Sequence, residues 1–233
     1  MYAGLSRQHF LRLMMGLGAA LPSAFLSGAV LLPPALAAGV PVGSVAKVKG
    51  TASLVRNGAQ LVLQGGEEVM AGDVVTTLAE SRLRIALADG SQLNLGELTR
   101  MTIAEFEFAP ETLSRKAAFD LKAGLCQAVT AKAATGSSFV IRTQNAVAAT
   151  RSTEWIVEAK KAETSVFVLE GKVDVAESAF GFRSLSSAEQ DKAMLLGAGQ
   201  SITIGKMALG GSLAPKQTPA KKLAELKAGL SLD

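Results

Sequence analysis

The sequence predicts an all-β fold, a jelly-roll-like β-sandwich or roll of short antiparallel strands, followed by a short C-terminal helix. From Gly43 to about Ile204, short runs of Val, Ile, Leu and Phe alternate with polar residues at a period of two. Turn signals interrupt these runs roughly every ten residues, and no long stretch has the 3.6-residue period of a helix. The chain has 233 residues, 48% of them hydrophobic, which is enough to bury the core of one domain.

The first 37 residues have the parts of a secretory signal peptide. A basic end without acidic residues leads into a long apolar run, and small residues follow at Ala35 and Ala37. We therefore predict cleavage after Ala37 and a periplasmic protein, with an uncleaved anchor helix as the alternative. Ser6–Arg12 is similar to a twin-arginine signal in which Gln8 replaces the second arginine, so the twin-arginine and general export routes both stay open.

Removal of this segment limits the chemistry of the chain. The only His and the only Tyr, His9 and Tyr2, leave with it, and Cys126 stays as the single cysteine. Without a His to act as base we predict no catalytic residue and no enzyme activity, and we predict no metal or cofactor. The remaining 196 residues hold 22 basic and 20 acidic side chains. This balance predicts no nucleic-acid binding, and membrane contact only through an uncleaved N-terminal segment.

Two hairpins are predicted in the first half of the domain. Asn57-Gly58 favours a type I′ turn, which sets Leu54 opposite Leu61. The second hairpin turns at Asp89-Gly90-Ser91, with Gly90 left-handed in a three-residue loop. Its predicted register sets Leu87 opposite Leu93 and Ile85 opposite Leu95, because a one-residue slip would move the apolar side chains to solvent.

Further strands are predicted in the second half. Thr150–Glu158 places Thr153, Trp155 and Val157 on one face. The remaining predictions are a strand over Ser138–Thr143, a hairpin that sets Val166 and Val168 against Val173 and Val175 across Glu170-Gly171, two short strands over Met194–Ile204, a strand pair or short helix over Ala117–Gly136, and a polar loop over Phe180–Lys192.

Residues 206–233 are predicted to be a linker and a short helix. Thr218 is the expected N-cap, Pro219 suits the first helical position, and Gly229 suits the end of the helix. Leu223 and Leu226 fall on one face. Because so short a helix is marginal alone, we expect it to dock on the domain, to dock on a partner, or to fray.

The order of several short motifs resembles the FecR domain, the periplasmic sensing module of cell-surface signalling systems that handle iron–siderophore uptake. Residues 43–205 carry the resemblance. Its motifs are Gly43-Ser44-Val45 with Gly50, Ala71–Thr77 with Ser81-Arg82, Leu87–Leu93 with its Asp89-Gly90-Ser91 turn, Phe139–Val157, Val168–Val173 and Leu195–Ile204.

This resemblance implies a jelly-roll-like domain and suggests regulation of a sigma factor. Only about a dozen residues precede the apolar run, so we expect no cytoplasmic anti-sigma region. The predicted function is an exported, non-enzymatic binding or signalling accessory module for a periplasmic or envelope protein or a small ligand. The alternative is a cell-envelope structural or glycan-binding protein.

The candidate ligand-binding residues are Arg142, Arg151, Thr153 and Trp155. An arginine pair beside a tryptophan suits an anionic ligand, held by bidentate hydrogen bonds and stacking. The alternative places Trp155 in the core and pairs the arginines with carboxylates. The Asp89-Gly90-Ser91 motif lacks the further oxygen ligands of a calcium loop and predicts a turn.

Overall fold

A computed structural model describes residues 40–150, 152–178, 193–205 and 214–232 of the chain. The predicted signal segment and the predicted loop over Phe180–Lys192 lie outside these residues. In the described part the chain forms seventeen strands and one helix, so the all-β class with a short C-terminal helix is confirmed. The elements, in chain order, are β1 (Gly43–Lys49), β2 (Ala52–Arg56), β3 (Ala59–Val62), β4 (Glu68–Val69), β5 (Val74–Thr77), β6 (Arg82–Leu87), β7 (Gln92–Leu95), β8 (Arg100–Ala109), β9 (Ser114–Val129), β10 (Ser138–Arg142), β11 (Ala146–Thr150), β12 (Glu154–Ala159), β13 (Glu163–Glu170), β14 (Lys172–Glu177), β15 (Met194–Gly197), β16 (Gln200–Gly205), β17 (Lys216–Gln217) and α1 (Ala220–Ala228).

The strands form two sheets that share the long strand β9. Sheet 1 has the order β4-β1-β6-β7-β9-β12-β13-β16-β17. Sheet 2 has the order β3-β2-β5-β8-β9-β10-β11-β14-β15. These pairs are antiparallel, as predicted, except for the parallel pair β9–β10. The inward side chains of both sheets form one continuous core, which is the arrangement of a sandwich.

The strand β9 runs from sheet 2 into sheet 1 and is longer than any predicted strand. Its first part pairs with β8 and β10, and its last residues pair with β7 and β12. Gly124 lies between the two parts at φ 96°, where an added Cβ would come within 2.4 Å of Thr99 Cα. Only glycine fits this bend. The strand pair or helix predicted over Ala117–Gly136 is therefore wrong, because most of that segment belongs to one bent strand.

The two predicted hairpins of the first half are present. Asn57 (φ 51°) and Gly58 (φ 80°) form the expected turn, and Leu54 pairs with Leu61. At the second hairpin Gly90 is left-handed, and the loop has three residues, as predicted. Its register differs from the prediction by two residues, because Leu93 pairs with Ile85 instead of Leu87. A two-residue shift keeps the apolar side chains on the same face, so the buried set is unchanged.

The hairpin predicted across Glu170-Gly171 is wrong. The strand β13 pairs with β12 and β16 in sheet 1, whereas β14 pairs with β11 and β15 in sheet 2. One residue between the strands, Gly171 at φ 84°, carries the chain across the sandwich. The four valines of the predicted hairpin are all buried, but they face one another through the core.

The C-terminal helix packs on the outer face of sheet 1. Leu226 and Leu230 are buried against Ile156 and Phe167, so the expected docking on the domain is confirmed. The N-cap is Pro219, and the hydroxyl of Thr218 makes no hydrogen bond, so the predicted threonine cap is wrong. The helix ends before Gly229, as predicted. Within the described residues, no helix has both the length and the apolar character needed to cross a membrane.

Candidate functional site

The predicted Asp89-Gly90-Ser91 turn is held together by hydrogen bonds among its own residues. The carboxylate of Asp89 accepts hydrogen bonds from the backbone N–H of Ser91 at 3.0 Å and from its hydroxyl at 2.7 Å. The Ser91 hydroxyl oxygen also accepts a hydrogen bond from the backbone N–H of Ala131 at 2.9 Å. The turn is therefore tied to the segment that follows β9.

Arg115 completes this turn from the start of β9. Its Nη1 lies 2.5 Å from Asp89 Oδ2 and 3.0 Å from Ser91 Oγ, and its guanidinium stacks 5.1 Å from the centre of the Phe139 ring. The side chains of Arg115 and Asp89 are 0% and 1% exposed. Since both charges are sealed from solvent and satisfy each other, this motif stabilises the sandwich and offers no open ligand site.

Sequence reasoning missed Arg115, although its position carries a signal. Along the first part of β9 the side chains that join the central core are those of Ala117, Phe119 and Leu121, at alternate positions. Arg115 continues that alternation, which places a charged residue at an inward position. An inward arginine requires a buried acidic partner, and Asp89 is that partner.

Thr153 belongs to a buried threonine cluster where several strands end. Its backbone N–H donates to Thr130 Oγ1 at 2.6 Å, and its hydroxyl donates to the backbone carbonyl of Lys172 at 3.0 Å. The hydroxyl of Thr150 also binds the Lys172 carbonyl, at 2.9 Å. A Cβ added to Gly171 would lie 3.0 Å from Thr153 Oγ1. These contacts fix the point at which the chain crosses between the sheets.

The structure does not bring the other predicted binding residues together. Trp155 is fully buried and points into the core from sheet 1. Arg142 lies on the outer face of sheet 2, where its Nε binds Asp120 Oδ1 at 2.6 Å. Arg151 lies outside the described residues. A single ligand cannot touch both the Trp155 ring and the Arg142 guanidinium, because the core side of sheet 2 separates them.

The aspartate of the Ala71–Thr77 motif is also engaged within the domain. Asp73 is fully buried and accepts two hydrogen bonds from Arg56, from Nε at 2.8 Å and from Nη2 at 2.7 Å. It also accepts the backbone N–H of Met70 at 2.8 Å. The hydrogen bond with Asp73 raises the pKa of the Arg56 guanidinium, so this guanidinium keeps its positive charge over the whole physiological range.

The remaining reactive groups offer little chemistry. Burial raises the pKa of the Cys126 thiol far above its ordinary value, so the nucleophilic thiolate is scarce. Glu105 lies 2.5 Å from Lys116 in an exposed ion pair. In the part of the chain that the structure describes, no group of three or more His, Cys, Asp or Glu is placed to hold a metal ion.

One exposed feature stands out among these buried motifs. Leu78, after β5, and Leu98, before β8, are 52% and 63% exposed. The backbone N–H of Leu98 donates to the carbonyl of Leu78 at 3.2 Å, so the two leucines are neighbours. We call this pair, with the exposed carboxylates of Glu80 and Glu97, the leucine end.

The backbone of the leucine end is strained and is held by hydrogen bonds. Leu98 has φ 50° and Glu80 has φ 56°, both in the left-handed region that these residue types avoid. The hydroxyl of Thr77 donates to the Gly96 carbonyl at 2.6 Å and accepts the Thr99 N–H at 3.0 Å, which fixes both flanks. Leu78 and Leu98 therefore form a small exposed apolar surface on a backbone that hydrogen bonds hold in place.

Comparison with known proteins gives a match to a family model and similarities to solved structures. The family model described as FecR protein matches residues 73–174, which include the leucine end and every predicted ligand-binding residue. Two crystal structures of a proposed anti-sigma factor from Parabacteroides distasonis ATCC 8503, at 2.50 Å and 1.65 Å, are each 19% identical to this chain with a TM-score of 0.47. The similarity covers 65% of this chain and 62% of that protein, so it spans less than two thirds of that protein's length. No curated protein is similar to the chain.

Proposed function

Since residues 73–174 of this chain are a FecR family segment, which confirms the resemblance of its motifs, we propose that the protein is a non-enzymatic binding and signalling accessory module of the periplasm. In this proposal the leucine end contacts a protein of the cell envelope. The motif residues Asp73, Asp89 and Thr153 serve the fold, because their side chains are buried in contacts within the domain.

The observation that carries the proposal is the exposed leucine pair held by a left-handed Leu98. Holding a leucine in that conformation costs about 1–2 kcal/mol. An exposed side chain contributes no burial energy that would offset this cost. Covering it with a partner would contribute roughly 25 cal/mol for each Å² of apolar surface buried. Glu97 is already engaged within the domain, since it accepts the Glu80 N–H at 2.8 Å and lies 3.9 Å from Arg82, so the fitting partner presents mainly apolar side chains.

A binding role agrees with the chemistry of the described residues. The thiol of Cys126 is buried and protonated, and the charged motif residues are paired within the domain. The glycan-binding alternative relied on Trp155 as a stacking surface, and this ring is fully buried. The periplasmic location rests on the signal-like residues 1–37, which supply a basic end, an apolar run and a small-residue site at Ala35 and Ala37.

The test compares envelope binding by the protein and its Leu98→Gly variant. Glycine accepts φ 50° without strain and removes the exposed side chain, so the variant should be at least as stable as the wild type. We expect a cross-linked envelope partner to be recovered with the wild type and lost with Leu98→Gly. Thermal melting of both proteins checks that the loss does not come from unfolding.

Leu113→Gly is a matched control. Leu113 is also exposed and left-handed, at φ 54°, but it lies in the turn between β8 and β9 and not at the leucine end. This variant should keep the partner. Equal recovery with Leu98→Gly and the wild type, or equal loss with both glycine variants, would contradict a role for the leucine end.

A further inference from the structure

The edge strand β3 has an open hydrogen-bonding side. In the described part of the chain β3 pairs only with β2, and all four of its residues are exposed. The Leu63 N–H binds the Ala52 carbonyl, and Leu61 pairs with Leu54. In an antiparallel ladder this register turns the N–H and C=O groups of Leu61 towards β2. The corresponding groups of Gln60 and Val62 therefore point away from the sheet.

The strand is short, with four residues, but it lacks the charges, proline and bulge that also protect an edge. Exposed sheet edges commonly carry charged residues, proline or a bulge that prevents pairing with another chain. The ten residues from Asn57 to Gly66 contain no charge and no proline, and the β2–β3 register is regular. Leu61 and Val62 are 46% and 66% exposed. The edge is therefore available for strand addition.

We propose that β3 pairs with β3 of a second copy, antiparallel and with a two-fold axis at Leu61. This register places Gln60 of one copy opposite Val62 of the other, so the outward N–H and C=O groups of both residues meet in hydrogen-bonded pairs. Leu61 of each copy then faces Leu61 of the other. The two sheets become one continuous sheet across the axis.

Two properties of the segment favour a second copy over a different partner strand. Because Asn57–Gly66 carries no charge, pairing with itself brings no like charges together and leaves no charge to attract an ionic partner. The apolar face of the hairpin also continues across the axis. Leu54 is buried, Leu61 beside it is half exposed, and the same two residues of the second copy extend this row of leucines.

The contact is small, so the dimer should be weak. A four-residue strand pair buries less than the roughly 1,200 Å² of stable interfaces, so we expect association between about 10 µM and 1 mM. Analytical ultracentrifugation of the chain as its host produces it should show a rise in mean mass over this range. A monomer throughout the range would overturn the proposal.

Charge substitutions at Leu61 test the register. Leu61→Lys places two like charges face to face across the axis and should abolish the dimer, and Leu61→Glu should do the same. An equal mixture of the two variants should associate again, because each lysine then faces a glutamate. A dimer that persists in Leu61→Lys, or a mixture that stays monomeric, would overturn the register.

Leu78→Lys is the matched control, because it adds the same charge to an exposed leucine at the leucine end. It should dimerise like the wild type. If Leu78→Lys abolishes the dimer and Leu61→Lys does not, the contact lies at the leucine end and the β3 proposal is wrong. Val62→Pro gives a second test: it removes an outward N–H that β2 does not use, and it should also abolish association.

Discussion

Asp89 and Arg115 form an ion pair whose two charges are shielded from water on all sides. Neither side chain is more than 1% exposed, and the pair links the turn before β7 to the start of β9. Removing one partner of a buried pair leaves the other charge uncompensated, which is far more costly than losing an exposed pair. The Asp-Gly-Ser turn therefore depends on a residue that lies 24 positions beyond Ser91.

We predict that Asp89→Asn destabilises the protein by about 3–5 kcal/mol, because the shape is nearly kept while the Arg115 charge loses its partner. Urea unfolding measures this loss. Glu105→Gln is the matched control, since it makes the same carboxylate-to-amide change in the exposed pair with Lys116 and should leave the unfolding midpoint close to wild type. Similar midpoints for both variants would show that the Asp89 pair is not sealed from solvent.

The buried thiol of Cys126 should make the free energy of unfolding depend on pH. Burial raises the pKa of the thiol in the folded protein, whereas the unfolded thiol ionises near about pH 8.5. Below that pH both states keep the proton and the group has no pH effect. Above it only the unfolded state releases the proton, so the free energy of unfolding falls as pH rises, by at most about 1.4 kcal/mol per pH unit.

The measurement compares the free energy of unfolding of wild type and Cys126→Ala between about pH 7 and pH 10. This range spans the pKa of the thiol in the unfolded chain. Lysines titrate in both proteins, so only the difference between the two stability curves reports on Cys126. The wild-type curve should fall more steeply above about pH 8.5. Parallel curves would mean that the folded thiol titrates normally.

At the scale of elements, β9 decides how the two sheets are joined. Its side chains in the central core lie at odd positions up to Leu121 and at even positions from Cys126, because the strand bends at Gly124. Thr99 packs against this bend, and its hydroxyl oxygen accepts the Leu125 N–H at 3.0 Å. The bend thus fixes where one strand leaves sheet 2 and enters sheet 1.

We predict that Gly124→Ala destabilises the protein by about 2–5 kcal/mol, since a left-handed alanine and a clash with the Thr99 backbone add together. Gly136→Ala is the control. Gly136 has φ 88°, close to the 96° of Gly124, but an added Cβ there meets nothing within 4 Å. It should lose only about 1–2 kcal/mol in the same unfolding experiment. Equal losses would mean that packing against Thr99 contributes nothing.

The bend in β9 also shows what the sequence could and could not predict about the elements. Asn57-Gly58 and Gly90 determine their turns locally, and both turns were predicted, although the register of the second hairpin was wrong by two residues. The alternation of core and outward side chains in β9 shifts by one position at Gly124, so the sequence pattern does not indicate one continuous strand. The hairpin at Gly171 was misassigned because the valines on both sides are buried in either arrangement, and only long-range pairing decides which sheet each strand joins.

The apolar face of the C-terminal helix is buried against the domain. Leu226 and Leu230 are buried against Ile156 and Phe167, so little of that face is left for a partner. The sequence predicted the helix from Pro219 and Gly229, but the N-cap is Pro219 and not the predicted Thr218. Because the chain enters the helix at Pro219, the Thr218 hydroxyl lies too early to reach the first free N–H groups.

Across the molecule, the motif residues Asp73, Asp89 and Thr153 lie in contacts within the domain. Asp89 was predicted correctly as a turn position, whereas Thr153 was predicted inside a strand and lies between β11 and β12. The leucine end could not be predicted, because Leu78 and Leu98 are far apart in sequence and leucine gives no sign of a left-handed backbone. Exposure of an apolar residue depends on which neighbours cover it, and a strand pattern does not contain that information.

The last prediction concerns the length of the working protein. We expect the mature chain to begin at Ala38, because Ala35 and Ala37 supply the small side chains that the signal peptidase slot requires. Intact mass and N-terminal sequencing of the protein from its host measure this directly. Ala37→Leu should block processing, whereas Leu36→Phe, at the unrestricted middle position, should leave it unchanged. A native protein that keeps Met1 would restore Tyr2 and His9 to the chain and would make an anchored rather than a released module the correct description.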